Sequence, residues 1–300
     1  MQLADKCAPL RMACVLLSLL WTPFPVFAQT ELTIGVSILP QKYFVERIAG
    51  NRAHVIVMVG PGHSPATYEP KPKQLSQLSN ADLFFLIGVP FEEKWSHLFS
   101  QVNPRMKVVS LATGLNLRKM ESHIFDQAEG DIPGHQHTEV WDPHFWLNPR
   151  LVEQLAMVIK TELVRVDPAN QSNYEANYKE FIKDLKTLDM YIRQQLSGIS
   201  HKYFLVFHPS WGYYADEYGL VQVPIEYQGK QPGARTLSKI MNMAKEKNIK
   251  VLFVQQQFSE RDAKTIAKQL AVRIVRVDPL SEEYINNLEK VTRLFAEAMR

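Results

Sequence analysis

Four side chains that can bind a metal ion lie far apart along the chain, each at the edge of a predicted element. His63, His208 and Asp278 each follow a short apolar run, and His144 lies just before a helix. Because ligands of open α/β sheets bind beyond the carboxyl ends of the strands, these residues could converge on one cleft. Three imidazoles and one carboxylate make a four-coordinate nitrogen and oxygen site of the kind that suits zinc.

Each of these residues also has an ordinary structural interpretation. His144 lies between Trp141 and Trp146 and could simply pack against them, and His63 could be a loop histidine without a partner. Asp278 precedes a proline and could open a turn or cap the next helix. The metal-site hypothesis therefore depends on the combination of the four residues and not on any one of them.

Eight short apolar runs predict β-strands, and helical patterns follow most of them. Several runs consist of consecutive Val, Ile, Leu and Phe residues, which is typical of strands buried on both faces in a parallel sheet. The predicted strands are Glu31–Ser37, His54–Val59, Asp82–Ile87, Lys107–Leu111, Tyr203–Phe207, Val221–Ile225, Val251–Val254 and Arg273–Val277. Helices such as those predicted at Lys73–Asn80 and Ala234–Lys247 supply the crossovers, so the fold class is α/β.

Two helices separate the first four predicted strands from the last four. Asn148 and Asp167 are each followed by a proline, which predicts an N-cap and a first-turn proline for both helices. In the second helix, apolar residues at spacings of three and four continue until Gly198, a typical stop signal. A helix of about 30 residues spans roughly 45 Å, which is longer than a small domain is wide.

This long helix suggests the domain organisation. We expect a rigid linking helix over residues 167–198 between an N-terminal α/β lobe, residues 29–166, and a C-terminal α/β lobe, residues 199–300. The alternative is a long helix that lies on one large domain.

The first 28 residues have the layout of a secretory signal peptide. Basic residues precede a short apolar run over residues 12–20, and Val26 and Ala28 provide small side chains at the −3 and −1 positions. Both cysteines, Cys7 and Cys14, lie in this leader, so the mature chain has no disulfide and no thiolate ligand. We expect a soluble periplasmic protein whose metal ligands are His, Asp, Glu or Met.

The charge of the chain excludes one class of partner. The formal net charge is +3 over 300 residues, and basic residues form no cluster. Nucleic-acid binding is therefore not expected.

Five stretches of the sequence occur in the order found in solute-binding proteins of zinc and manganese ABC transporters, and the mature chain resembles that family over nearly its whole length. They are YEPKPKQLSQLSNADLFFLIG, DPHFWLNP, FHPSWGYYADEYGL, FVQQQFS and VRVDPL. The resemblance implies two four-stranded α/β lobes joined by one long helix, with the metal buried between them. It also implies that His144, His208 and Asp278 are the second, third and fourth metal ligands.

The first ligand departs from the family pattern. The family usually reads Pro-His-x-Tyr-Glu-Pro, whereas this chain has Ala66 at the histidine position. We expect His63, three residues upstream in a loop stiffened by prolines, to replace the missing ligand. The alternative is a site with three protein ligands that water or Glu69 completes; otherwise Glu69 is expected to cap the helix that begins near Pro70.

The segment over residues 121–139 corresponds to a His-rich loop that zinc-binding members often carry. It holds His123, His135 and His137 together with five acidic residues. This loop could capture metal weakly, or it could be a solvated loop with no role.

These features together predict a non-enzymatic, monomeric binding protein that captures Zn²⁺ and passes it to the membrane permease of an ABC importer. Mn²⁺ is less favoured, because a harder site would replace His208 by a carboxylate. A manganese- or iron-binding relative remains an alternative. A secreted zinc hydrolase with three histidines and a water is another, with Glu69 or Glu226 as the base, although the chain has no HExxH motif. A surface adhesin that keeps the fold is a third.

Overall fold

A computed structural model of the protein describes residues 31–120, 141–226 and 232–300. The predicted signal peptide and the segment with His123, His135 and His137 lie outside the described residues. Within the described ranges, no helix is both long and apolar enough to cross a membrane.

The first four strands form one parallel sheet in the order β2-β1-β3-β4. The strands are β1 (Leu32–Ile38), β2 (Ala53–Val59), β3 (Leu83–Leu86) and β4 (Lys107–Ser110). The helices that connect them are α1 (Leu39–Ala49), α2 (Pro72–Leu78) and α3 (Pro90–Val102). Both central strands are apolar throughout their middle because helices cover the two faces of the sheet.

Two helices then lead to the second half of the chain. Helix α4 (Pro149–Val166) begins as predicted, since the Asn148 side chain accepts a hydrogen bond from the Arg150 amide. Helix α5 (Gln171–Leu196) has 26 residues, about 39 Å at the usual rise. It starts later than predicted because the Asp167 carboxylate accepts hydrogen bonds from Tyr174 Oη at 2.6 Å and Asn170 Nδ2 at 2.7 Å, and not from helix amides. The turn Pro168–Asn170 is consequently a 3₁₀ helix.

The last four strands repeat the first topology, with the parallel order β6-β5-β7-β8. The strands are β5 (Tyr203–Val206), β6 (Val221–Pro224), β7 (Val251–Gln255) and β8 (Arg273–Val277). The helices are α6 (Gly212–Tyr218), α7 (Ala234–Glu246), α8 (Glu260–Leu270) and α9 (Tyr284–Met299). The protein is therefore a two-lobe α/β structure with a long central helix, as the sequence predicted.

The two sheets share one hydrophobic core rather than meeting only at their edges. Helix α9 leaves the second sheet and packs on α5, where the ring of Tyr284 lies 4.8 Å from that of Phe44 in the first lobe. Further along α9, Phe295 lies 4.5 Å from Phe253 in β7. Each fully buried aromatic side chain contributes roughly 1.5–3 kcal/mol to this packing. A large rotation of one lobe against the other would have to break this core.

Candidate metal site

A cavity of about 570 Å³ lies where the carboxyl ends of both sheets face each other. Gly88 and Val89 after β3 line it from the first lobe, and His208 after β5 and Gln255 at the end of β7 line it from the second. In each sheet the strand order reverses between its two central strands, which is where ligands of doubly wound sheets bind. The topology thus places the cavity where a ligand is expected.

His144 lies on the wall of this cavity in a fixed orientation. Its Nδ1 donates a hydrogen bond to Asp142 Oδ1 at 2.7 Å, and its backbone amide donates to the same oxygen at 3.0 Å. Asp142 is fully buried and also accepts a hydrogen bond from Arg118 Nη1 at 3.0 Å. The carboxylate therefore holds the ring so that Nε2 is the nitrogen left to bind a ligand.

The electrostatics of this pair keep the imidazole neutral and the carboxyl ionised. Burial lowers the pKa of His144, and its effect exceeds that of the Asp142 carboxylate, which raises it. Burial opposes ionisation of Asp142 too, but the hydrogen bond and charge of His144, with the charge of Arg118, hold the pKa of Asp142 below its usual value. A neutral imidazole is the form that binds a metal ion.

His208 is held in the same way on the second lobe. Its Nδ1 donates a hydrogen bond to Glu226 Oε1, a carboxylate that is almost entirely buried. Gln255 fixes the backbone of His208, since its Nε2 donates to the His208 carbonyl at 2.6 Å. The ring of Phe258 stacks on the imidazole with a centroid distance of 5.2 Å. His208 therefore also presents Nε2 as its free nitrogen.

The two imidazoles come together at the cavity. Their ring centroids are 5.2 Å apart and their planes lie at 73°. The structure thus joins two of the four residues predicted from the sequence, which are 64 positions apart along the chain (208 minus 144).

Asp278, unlike the two histidines, does not itself line the cavity and is engaged by its own neighbourhood. It follows β8, and the next two residues, Pro279 and Leu280, line the cavity. Its Oδ1 accepts hydrogen bonds from the Leu280 amide at 2.9 Å and from Gln257 Nε2 at 3.2 Å. Both of these hydrogen bonds use Oδ1 and not the second carboxylate oxygen, Oδ2.

His63 does not line the cavity in this structure. The loop turns at Gly60–His63, where the His63 amide donates to the Gly60 carbonyl at 3.3 Å. Its Nδ1 lies 3.1 Å from the Pro61 carbonyl oxygen, and its exposed ring makes an edge contact with Tyr68. Ala66 is on the cavity wall instead. The turn that was expected to bring His63 inward therefore holds it at the outer side of the loop.

Glu69 does not replace the missing first ligand either. Its carboxylate forms an exposed ion pair with Lys94 at 2.8 Å and does not line the cavity. It does not cap α2 either, since the residue at the N-cap position is Lys71. Among the described residues, no group of three or more His, Cys, Asp or Glu side chains is arranged to hold a metal ion.

Three residues support the site in roles that were not predicted from the sequence. Asp142 stands two positions before His144, and Glu226 follows β6, which pairs with β5, the strand that His208 follows. Arg118, which bonds to Asp142, also connects it to the second lobe, because its Nε donates a hydrogen bond to Asp216 Oδ2 on α6 at 2.9 Å. The spacing of Asp142 is a local signal that could have been used, whereas the positions of Glu226 and Arg118 depend on tertiary structure.

Comparison with known proteins gives a consistent set of relatives. The sequence model of the family described as zinc-uptake complex component A, periplasmic (ZnuA), matches residues 34–298. The high-affinity zinc uptake system protein ZnuA of Bacillus subtilis (strain 168) is 30% identical over 267 residues, which cover 88% of this chain and 80% of that protein.

Two further relatives extend the comparison. The zinc-binding lipoprotein AdcA of Streptococcus pneumoniae (strain ATCC BAA-255 / R6) is 28% identical over 88% of this chain, which spans only 55% of AdcA. A crystal structure of a ZnuA deletion mutant with zinc bound is 38% identical and superimposes with a TM-score of 0.81, covering 90% of this chain and 98% of that one.

Proposed function

Because the chain belongs to the family of periplasmic zinc-uptake components, we propose that it captures Zn²⁺ in the cavity between its lobes and delivers it to an ABC importer. The family consists of solute-binding proteins and not of enzymes, so the hydrolase alternative is set aside. The two relatives named for zinc binding or uptake support the choice of metal.

The observation that carries this proposal is the paired arrangement of His144 and His208. Both rings face one cavity, and each has its Nδ1 bonded to a buried carboxylate, Asp142 or Glu226. Carboxylates in this position fix the tautomer and raise the basicity of the nitrogen that binds the metal. Two carboxylate-supported imidazoles favour zinc over manganese, which prefers oxygen ligands.

Asp278 is the proposed third ligand. Pro279 and Leu280 beside it line the wall, and binding the metal would require its carboxylate to turn from Gln257 and the Leu280 amide toward the cavity. His63, the fourth ligand predicted from the sequence, would reach the metal only if the turn at Gly60–His63 opened and its contacts with Pro61 and Tyr68 broke. The His63 assignment stays a prediction.

We also propose a periplasmic location, reached through the signal peptide predicted over residues 1–28. The family description supports this location. The shared core across α5 and α9 supports metal entry and release by local loop movement, with little rotation of the lobes. Small-angle scattering of the apo and zinc-loaded protein is expected to give nearly equal radii of gyration.

Zinc affinity of a His208→Ala variant tests the proposal. Removal of a metal-bound imidazole is expected to lower the affinity at least a hundredfold, as measured by competition with a chromogenic chelator. The control is His201→Ala in the same lobe, because His201 is exposed and does not line the cavity. Equal affinities for the two variants would place the zinc site elsewhere.

Delivery is tested by zinc-limited growth. A bacterium that lacks its own zinc-binding component, but keeps the permease that works with this protein, should grow with the wild-type gene and not with His208→Ala. Growth with both genes would mean that zinc delivery does not depend on the cavity.

A further inference from the structure

We propose that the cavity takes zinc as a complex with a small amino-acid-type chelator rather than as a bare ion. This inference rests on the zinc capture proposed above and specifies the form in which the metal is bound. The first observation is size: the cavity measures about 570 Å³. That volume falls within the range of sites for small organic molecules, about 300–1,000 Å³, and far exceeds the space that one ion requires.

The second observation is a shortage of protein ligands. His144 and His208 provide two imidazole nitrogens at the cavity, whereas Asp278, the proposed third ligand, does not itself line it. Zinc sites enclosed by protein normally have four protein ligands. On the opposite wall the cavity is lined by Ala66, which offers a methyl group, while His63 lies outside the lining. A zinc ion held by His144, His208 and Asp278 would therefore keep at least one coordination position for a donor from outside the chain.

The third observation is the chemistry of the walls around that open position. Trp141 is 53% exposed and lines the cavity, and Met120, Phe258 and Leu280 line it as well. Apolar and aromatic walls do not stabilise a hydrated cation, because they cannot replace its hydrogen-bonded water. They do stabilise the carbon skeleton of an organic ligand, with an aromatic ring as the largest contact surface.

These observations define the class of ligand. It must offer at least one nitrogen or oxygen donor to the metal, and a carbon skeleton that contacts the apolar wall. Polar groups at the cavity, such as Ser64, Thr67 and Glu93, can bond to its remaining amine, imidazole or carboxylate groups. An α-amino acid with an additional donor, or a related aminocarboxylate, meets these requirements. Binding is by coordination alone, with no covalent or redox step.

Equilibrium dialysis with radiolabelled L-histidine and with radiolabelled iminodiacetate tests this inference. The full chain is dialysed against each chelator with zinc and without it, and retained zinc is measured in the same samples. We expect the protein to retain one chelator molecule per zinc ion, and at least tenfold less chelator without zinc. The apparent zinc affinity should also rise at least tenfold when the chelator is present. A chelator that merely competed with the protein for zinc would lower it.

Two variants separate the chelator contact from the metal contact. Trp141→Ala should retain at least tenfold less chelator while its affinity for zinc alone stays within twofold. Ala66→His should bind zinc alone at least tenfold more tightly and retain no chelator, because the imidazole occupies the open position. Met190→Ala is the control, since Met190 is 62% exposed on α5 and does not line the cavity.

The outcomes distinguish this inference from the proposed function. If the protein retains zinc but neither chelator, the chelate inference is overturned and zinc capture stands. If it retains no zinc under any condition, the proposed function itself fails. If Trp141→Ala loses zinc binding without chelator present, the wall acts on the metal or on the fold, and the inference is again overturned.

Discussion

The two walls of the cavity differ in how firmly their side chains are held. On one wall, His144 and His208 are each tied to a carboxylate that is at most 4% exposed. On the other, the loop over residues 60–69 is largely exposed and is held mainly by short contacts within itself, such as Thr67 to Ser64. The difference indicates that the histidine wall is preorganised for the metal, whereas the loop wall can adapt to what arrives with it.

Among changes that leave both imidazoles in place, the largest effect is expected where the carboxylate support of the histidine wall is removed. Glu226→Gln keeps the shape of the side chain but no longer accepts a strong, charge-assisted hydrogen bond from His208. Loss of such a partner typically lowers metal affinity about 10- to 100-fold. We expect a decrease of that size in chelator competition, with Glu283→Gln, an exposed glutamate away from the cavity, as the control.

A double variant shows whether Glu226 acts through His208 or independently. If the carboxylate works only by orienting the imidazole, His208→Ala with Glu226→Gln should bind zinc as weakly as His208→Ala alone. Additive losses would mean that Glu226 contacts the metal directly or stabilises the lobe by another route.

A titratable residue at the start of α3 supports the loop wall. Glu92 at the start of α3 accepts hydrogen bonds from the Ile87 amide at 2.9 Å and the Gly88 amide at 2.7 Å, and the adjacent Phe91 amide donates to the Pro65 carbonyl. Burial raises the pKa of Glu92 to about 7. The folded protein therefore holds this proton more strongly than the unfolded chain, whose glutamates ionise near 4.5.

Stability should consequently fall as the pH rises through the interval between the two pKa values. The contribution is fully present below about pH 4.5 and is lost by about pH 7. Between pH 5 and pH 8 we expect the wild type to lose roughly 2 kcal/mol of unfolding free energy relative to Glu92→Gln in urea titrations. Glu93→Gln is the matched control, because its neighbour Glu93 is exposed. Parallel curves for wild type and Glu92→Gln would contradict the assignment.

The same contrast explains which features could be predicted from the sequence. All eight predicted strands are confirmed, each end within one residue, because runs of branched and aromatic residues carry the signal of buried parallel strands. His144 and His208 were predictable because both follow or precede elements whose ends meet at a sheet edge.

The remaining features depend on side-chain competition that the sequence does not encode locally. Asp167 was expected to cap the long helix, but Tyr174 and Asn170 compete for its carboxylate. Glu226 received no definite role because its partner, His208, is 18 residues away and becomes adjacent only through the pairing of β5 with β6.

The smallest effect is expected at His63, where the sequence and the structure give opposite predictions. The sequence hypothesis predicts at least a hundredfold loss of zinc affinity for His63→Ala. The structure leads us to expect less than a twofold change, because the His63 side chain contacts Pro61 and Tyr68 in its own loop and lies off the cavity wall. Chelator competition without added amino acid measures the difference, with His97→Ala, exposed on α3, as the control.

A large loss at His63 alone would mean that zinc binding remodels the Gly60–His63 turn and closes the site with a fourth protein ligand. Such a rearrangement would break the backbone hydrogen bond between the His63 amide and the Gly60 carbonyl. Because this bond is long, at 3.3 Å, and exposed, breaking it would cost little free energy. An unchanged affinity would leave the fourth position to a ligand from outside the chain. The adaptable loop wall would then serve to admit that ligand, and the preorganised histidine wall would determine the metal.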